Sequence, residues 1–120
     1  MTEKTVIHEL QERIKTFCFE RDWDQYHAPK ELAIGLVTES AELLDHFRFK
    51  SEAQITEMLA DAKKREHVED ELADAFYWIL RMAQKIDVDL ASAFERKMLK
   101  NEAKYPIEKV KGLNKKYTEY

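Results

Sequence analysis

Along this chain apolar residues return every three or four positions, the period of an α-helix with one face turned inward. Val6, Ile7, Leu10, Ile14, Phe17 and Cys18 trace the first such face and predict a helix that Thr2 can cap, running to about Glu20. Arg21-Asp-Trp-Asp-Gln-Tyr-His-Ala-Pro-Lys30 breaks the pattern and ends in a proline suited to opening a helix. A second helix is predicted from about Lys30 to Phe47, with Leu32, Leu36, Val37, Leu43, Leu44 and Phe47 as a wide apolar stripe. Ser51-Glu-Ala-Gln54 resembles a capping box and predicts a short helix to about Ala60. Beyond Asp61-Ala-Lys-Lys-Arg65 a third long helix is predicted to about Ile86, through Val68, Leu72, Ala75, Phe76, Ile79, Met82 and Ala83. Asp89 can cap a fourth, with Leu90, Phe94, Met98 and Leu99 inward, and it should stop before Pro106. Residues 107–120 hold Gly112 and read as an irregular basic tail.

Four long helices with a short extra one between the second and third predict an all-α four-helix bundle, one domain over residues 1–120. The second and third helices are apolar over so wide an arc that they need cover on more than one side, which a dimer or higher oligomer would supply. Composition agrees: 120 residues suffice for one core, and two Gly and two Pro leave few turn signals for a β-fold. No apolar run approaches the length of a membrane span, no basic-then-apolar leader opens the chain, and the single cysteine excludes an intramolecular disulfide. The expected setting is the cytoplasm, without a membrane partner. Cys18, between Phe17 and Phe19, reads as a buried small hydrophobe.

A net charge of −4 argues against generic nucleic-acid binding. Basic residues nonetheless gather late: Arg96, Lys97, Lys100, Lys104, Lys109, Lys111, Lys115 and Lys116 face only Glu102 and Glu108. That run is either a solvated face or a local anion site. The more informative charges are two acidic doublets, Glu39-Ser-Ala-Glu42 and Glu71-Leu-Ala-Asp74, each set in leucine-rich sequence. Residues three apart share a helix face, so each doublet points two carboxylates one way. Glu-x-x-Glu pairs are commonly solvated surface. If the two helices pack through their apolar stripes, however, four carboxylates converge and repel, and a hard divalent cation relieves them. A ferritin-like di-iron site needs Glu-x-x-His, and the residues three before the histidines are Thr5, Asp24, Leu43 and Lys64. A zinc site needs several His or Cys ligands. An all-carboxylate set favours Mg2+ or Mn2+, whose work is to activate water and clamp phosphate oxygens. Trp23, Phe49 and Trp78 could stack on a base, although Trp23 serves equally well as a plug for the end of a bundle.

The loop from Arg21 to Lys30, Thr38-Glu-Ser-Ala-Glu-Leu-Leu44, Glu69-Asp-Glu-Leu-Ala-Asp74, Lys104-Tyr-Pro106 and Lys116-Tyr-Thr-Glu-Tyr120 together resemble the MazG-like, all-α nucleoside triphosphate pyrophosphatases, nearest the dCTP pyrophosphatase branch. The resemblance covers nearly the whole chain. It implies hydrolysis of a (deoxy)nucleoside triphosphate to the monophosphate and pyrophosphate with Mg2+, favouring dCTP or a modified cytosine nucleotide. It implies Glu39, Glu42, Glu71 and Asp74 as metal ligands, with Glu39 or Glu42 also orienting the attacking water. Trp23 and His27 match a loop lining the nucleotide pocket. Phe49 stands where close relatives carry tryptophan, and Trp78 where relatives often carry tyrosine, so an aromatic surface persists with a different polar edge. Asn101, Lys104 and Tyr105 fall in a segment used around phosphates and sugar. A homotetramer built from dimers, or a homodimer, is implied as well. The alternative reading is a non-catalytic helical nucleotide-binding or interaction module.

Overall fold

The computed structural model describes residues 5–114 and Thr118. The expected end motif from Lys116 therefore lies outside the described residues except for Thr118, as does Thr2. Helix α1 spans Val6–Glu20 and its N-cap is Thr5. Thr5 Oγ1 accepts from the His8 amide while His8 Nδ1 accepts from the Thr5 amide, both at 3.3 Å, a capping box with histidine in the usual Glu or Gln place. The helix ends in a Schellman arrangement. Asp22 N–H donates to the Phe19 carbonyl at 3.0 Å and Trp23 N–H to the Cys18 carbonyl at 2.9 Å. Asp22 takes the left-handed position at φ 55°, which aspartate tolerates better than most non-glycine residues. The apolar contact that accompanies such an ending is Trp23 edge-on to Phe17, ring centroids 5.6 Å apart. The close of α1 thus fixes where Trp23 stands.

One 3-10 turn, Asp24–Tyr26, leads to α2 at Pro29–Asp45, with proline in its first turn. The chain then turns through Phe49, itself left-handed at φ 64°. Both arms of the predicted capping box form at α3, Glu52–Ala60: Gln54 N–H donates to Ser51 Oγ at 3.2 Å, and Ser51 N–H to Gln54 Oε1 at 2.8 Å. Helix α4, Ala62–Lys85, begins earlier than its apolar pattern indicates. Asp61 Oδ1 accepts from the amides of Lys63 and Lys64 at 3.0 and 3.1 Å and starts the helix there. The exposed Lys63-Lys64-Arg65 run carries no apolar period to reveal that first turn.

Residues 1–87 form one compact unit. Its principal packing is α2 against α4, with α1 and α3 also laid on α4. Cys18, Leu32, Met58, Val68, Leu80 and Ala83 are its buried apolar residues. A polar latch joins α1 to α4: Gln11 Nε2 donates to the Leu80 carbonyl at 2.9 Å, and Gln84 Nε2 returns to the Gln11 carbonyl at 3.0 Å. Such pairing is what allows Gln11 to be buried. Cys18 is fully buried as expected, its Sγ 3.3 Å from the Tyr77 hydroxyl.

Residues 88–120 form the second unit. There α5 spans Leu90–Lys104, and Asp89 Oδ1 accepts from the Ser92 amide at 3.0 Å. Within the stretch expected to be irregular, Ile107–Val110 makes one helical turn, α6. No strand occurs among the described residues, so the all-α class with a short extra helix between the second and third long ones is what the chain builds.

Candidate active site

Packing α2 on α4 brings the two acidic doublets together. Glu39, Glu42 and Glu71 each offer an oxygen, and these three oxygens lie within 4.8 Å of one another. Asp74 is not in that tight group, but its charge reaches Glu39. Glu39 Oε2 and Glu71 Oε2 are buried without a hydrogen-bond partner among the described residues. Orphaned buried carboxylate oxygens are costly, and two from residues of one cluster are groups that a divalent cation would satisfy. The titration of Glu39 reports the same pressure. Burial first, then the nearness of the Glu71 and Glu42 carboxylates, with which only a protonated Glu39 could share a hydrogen, then the charges of Glu42 and Asp74 push its pKa up to about 7. An all-oxygen donor set of this kind fits Mg2+ or Mn2+. His46 Nε2 stands 4.0 Å from Glu71 Oε1 at the margin of the cluster.

One face of α4 carries the site along its length. His67, Glu71, Asp74, Trp78 and Arg81 recur at steps of three and four residues. Trp78 lies about 10 Å along the axis from Glu71, at ~1.5 Å per residue, a separation one nucleotide can bridge. Around Trp78 is an aromatic recess of about 350 Å³, lined by Trp23, Tyr26, His27, Glu31 and Trp78. Its volume is at the lower end for small-molecule pockets. Trp78 meets His27 edge-on at 5.9 Å between centroids and Tyr77 at 5.1 Å. The indole lies against the α2 backbone because Gly35 has no side chain: a Cβ there would sit 2.6 Å from Trp78 Cδ2 and Cε2.

Of the residues singled out in the sequence, Glu39, Glu42 and Glu71 converge with Asp74 in electrostatic reach, and Trp23, His27 and Trp78 share the recess. Phe49 is not among the residues lining that recess. It is 91% exposed, with the Arg48 guanidinium 4.5 Å above its ring, and lines a second, mixed-charge recess with His46, Lys50, Glu57, Asp61 and Lys64. Asn101, Lys104 and Tyr105 stand on α5 and its C-cap in the second unit, where the Tyr105 amide donates to the Asn101 carbonyl at 2.9 Å.

Three contributors escape a reading of the sequence. Glu31 edges the recess, and Gly35 cradles Trp78. Arg81 is 2% exposed and bonds His27, Gln84 and Asp24. A signal for Arg81 existed, since it falls three residues after Trp78 on the stripe that begins at His67.

Residues 34–120 match the MazG-like family. The chain is 36% identical to dCTP pyrophosphatase 1 of Rattus norvegicus and 33% identical to that of Homo sapiens, each over 103 residues, 86% of this chain. It spans 61% of the length of those relatives. Among solved structures it resembles a pyrophosphatase from Archaeoglobus fulgidus with a TM-score of 0.79 and 34% identity, covering 88% of this chain and 97% of that one. With the all-helical fold and the convergent carboxylates, these matches place the chain in the MazG-like family.

Proposed function

We propose that this chain, acting as one MazG-like domain, is a divalent-cation-dependent nucleoside triphosphate pyrophosphohydrolase. It converts a (deoxy)nucleoside triphosphate to monophosphate and pyrophosphate, with dCTP or a modified cytosine nucleotide favoured. The observation that carries this reading is the convergence of three carboxylates with two buried, unpartnered oxygens. The names of its relatives supply the reaction class.

Glu39, Glu42, Glu71 and Asp74 would hold Mg2+ or Mn2+. Bound there, the cation would neutralise phosphate charge and lower the barrier to hydrolysis. The chain's own groups do the rest. Glu42, exposed beside the cluster, or Glu39 orients a water for in-line attack and takes its proton. Trp23, His27 and Trp78 hold the base, and the spacing along α4 sets the phosphates over the carboxylates. No side chain in the site is an activated nucleophile, so water displaces pyrophosphate directly. Asn101, Lys104 and Tyr105 are assigned to phosphate and sugar contacts.

The working form is a homodimer or a dimer of dimers in the cytoplasm. Ile34, Val37 and Leu44 on α2 and Leu72 and Phe76 on α4 are exposed apolar residues. Between α1 and α4 runs an apolar groove of about 440 Å³ that includes Leu10, Phe17 and Phe76. Exposed apolar surface of that kind supports the oligomeric reading. No helix among the described residues is long and apolar enough to cross a membrane.

The test is substitution without loss of shape. Glu42→Gln and Asp74→Asn should each abolish turnover and the Mg2+-induced thermal shift while leaving the far-UV circular dichroism unchanged. Full activity in either variant would refute the ligand assignment.

A further inference from the structure

We propose that Arg81 is a positioning residue that holds the His27 ring with its single proton on Nε2, so that the aromatic recess presents a fixed hydrogen-bond donor to a carbonyl on the edge of the base. The base-recognition half rests on the nucleotide reading above; the ring geometry does not.

Arg81 is almost wholly buried, and each of its three guanidinium nitrogens donates a hydrogen bond. Nε donates to His27 Nδ1 at 3.0 Å, Nη1 to Gln84 Oε1 at 2.6 Å, and Nη2 to Asp24 Oδ1 at 2.6 Å. A guanidinium has donors only, so His27 Nδ1 must supply a lone pair. An imidazole whose Nδ1 accepts carries its hydrogen on Nε2 if neutral, and a doubly protonated ring has no lone pair to offer. The buried arginine tolerates this geometry because Asp24 pairs with it, an oxygen shared with Lys85 Nζ at 2.9 Å.

The charged groups around the ring are Arg81 and Lys85 from α4, Asp24 from the 3-10 turn and Glu31 from α2. Burial lowers the pKa of His27 most, the Arg81 charge adds to that, and Asp24 opposes it. The neutral ring, which the Arg81 contact requires, is therefore favoured to lower pH than in an ordinary histidine. A fixed donor selects among base edges, since a ring carbonyl can only accept and an exocyclic amine can only donate. Without Arg81 the ring is free to exchange tautomers and offer an acceptor instead, which removes the penalty against the wrong edge.

The test uses the full chain labelled with 15N at histidine, with long-range ring spectra recorded between about pH 5.5 and 8, the window of histidine titration. Wild type should show His27 Nδ1 unprotonated and Nε2 protonated at neutral pH, with the ring charging at lower pH than an ordinary histidine. In Arg81→Leu both nitrogens should average and the ring should titrate nearer the ordinary range. Arg81→Gln, which keeps an amide donor, should restore the tautomer. A wild-type ring protonated on Nδ1, or charged at neutral pH, overturns the proposal even if Arg81→Leu does not fold.

Base recognition is read by binding of dCMP, which has a ring carbonyl, against dAMP, which has none. Arg81→Leu should erode a dCMP preference by about tenfold, the scale of one hydrogen bond in a buried site, and Arg81→Gln should recover it. An unchanged preference with an altered tautomer overturns the recognition half. Absence of all nucleotide binding beside the expected ring spectrum overturns the nucleotide reading and leaves the tautomer lock established.

Discussion

Replacing Gly35 with alanine tests how the aromatic recess is built. The added Cβ would lie 2.6 Å from Trp78 Cδ2 and Cε2 and 2.9 Å from Cε3. Ordinary carbon contacts fall near ~3.5–4.0 Å, so the indole must retreat by about 1 Å. The atoms it meets are the fused edge of a rigid bicycle, and Tyr77 and His27 already hold that ring from other sides. Overpacking of this kind costs about 1–3 kcal/mol. Opposing it, alanine gains roughly 0.5–1 kcal/mol over glycine inside a helix. The net change is a loss of about 0–2.5 kcal/mol, which alone would not identify the clash. A double-mutant cycle separates the two effects. In a Trp78→Leu background the clash is gone and Gly35→Ala should stabilise by roughly 0.5–1 kcal/mol, leaving a coupling of about 1–3 kcal/mol. Urea unfolding followed by circular dichroism measures all four corners. The displaced indole should also raise KM in Gly35→Ala. Stabilisation in both backgrounds with an unchanged KM would refute the cradle.

Two further outcomes follow from the same site. Glu39, held near 7 rather than 4.5, binds a proton in the metal-free fold that the unfolded chain releases between those values. That group therefore makes stability fall as pH rises from about 4.5 to 7, the folded state being the better proton binder there. Cation binding must expel the proton, so Mg2+ affinity should climb up to about pH 7 and then level off. Thermal scans with EDTA and with Mg2+ across this range check both slopes; the same slopes in Glu39→Gln would contradict the assignment. Trp23→Ala should chiefly raise KM, since Trp23 lines the recess and stands apart from the carboxylates; an unchanged KM removes it from the pocket.

What the sequence disclosed follows from distance along the chain. Capping at Ser51 and Asp89 was legible because each cap closes on residues within three positions. The acidic doublets were legible because i, i+3 spacing and an apolar setting are local, and two wide stripes had to meet. Gly35 against Trp78 depends on the register of α2 on α4, which neither segment states alone. Arg81 is buried by partners 54 and 57 residues away, so its place on the stripe with Trp78 is local and legible but its burial is not. Phe49 could be read as an aromatic from the sequence, but its left-handed backbone and exposed ring depend on the turn after α2, which no periodic pattern announces. The Asp22 ending of α1 was hidden because it uses aspartate where glycine is the usual sign.

The central claim is that the converged carboxylates serve a pyrophosphate-releasing hydrolysis. Its most direct test follows the products from a panel of dNTPs and NTPs by 31P NMR, with Mg2+ and with EDTA. Monophosphate and pyrophosphate in equal amounts, formed only with Mg2+ and fastest from a cytosine nucleotide, is the predicted result. Orthophosphate with a diphosphate, or no turnover of any nucleotide with Mg2+ present, would contradict it.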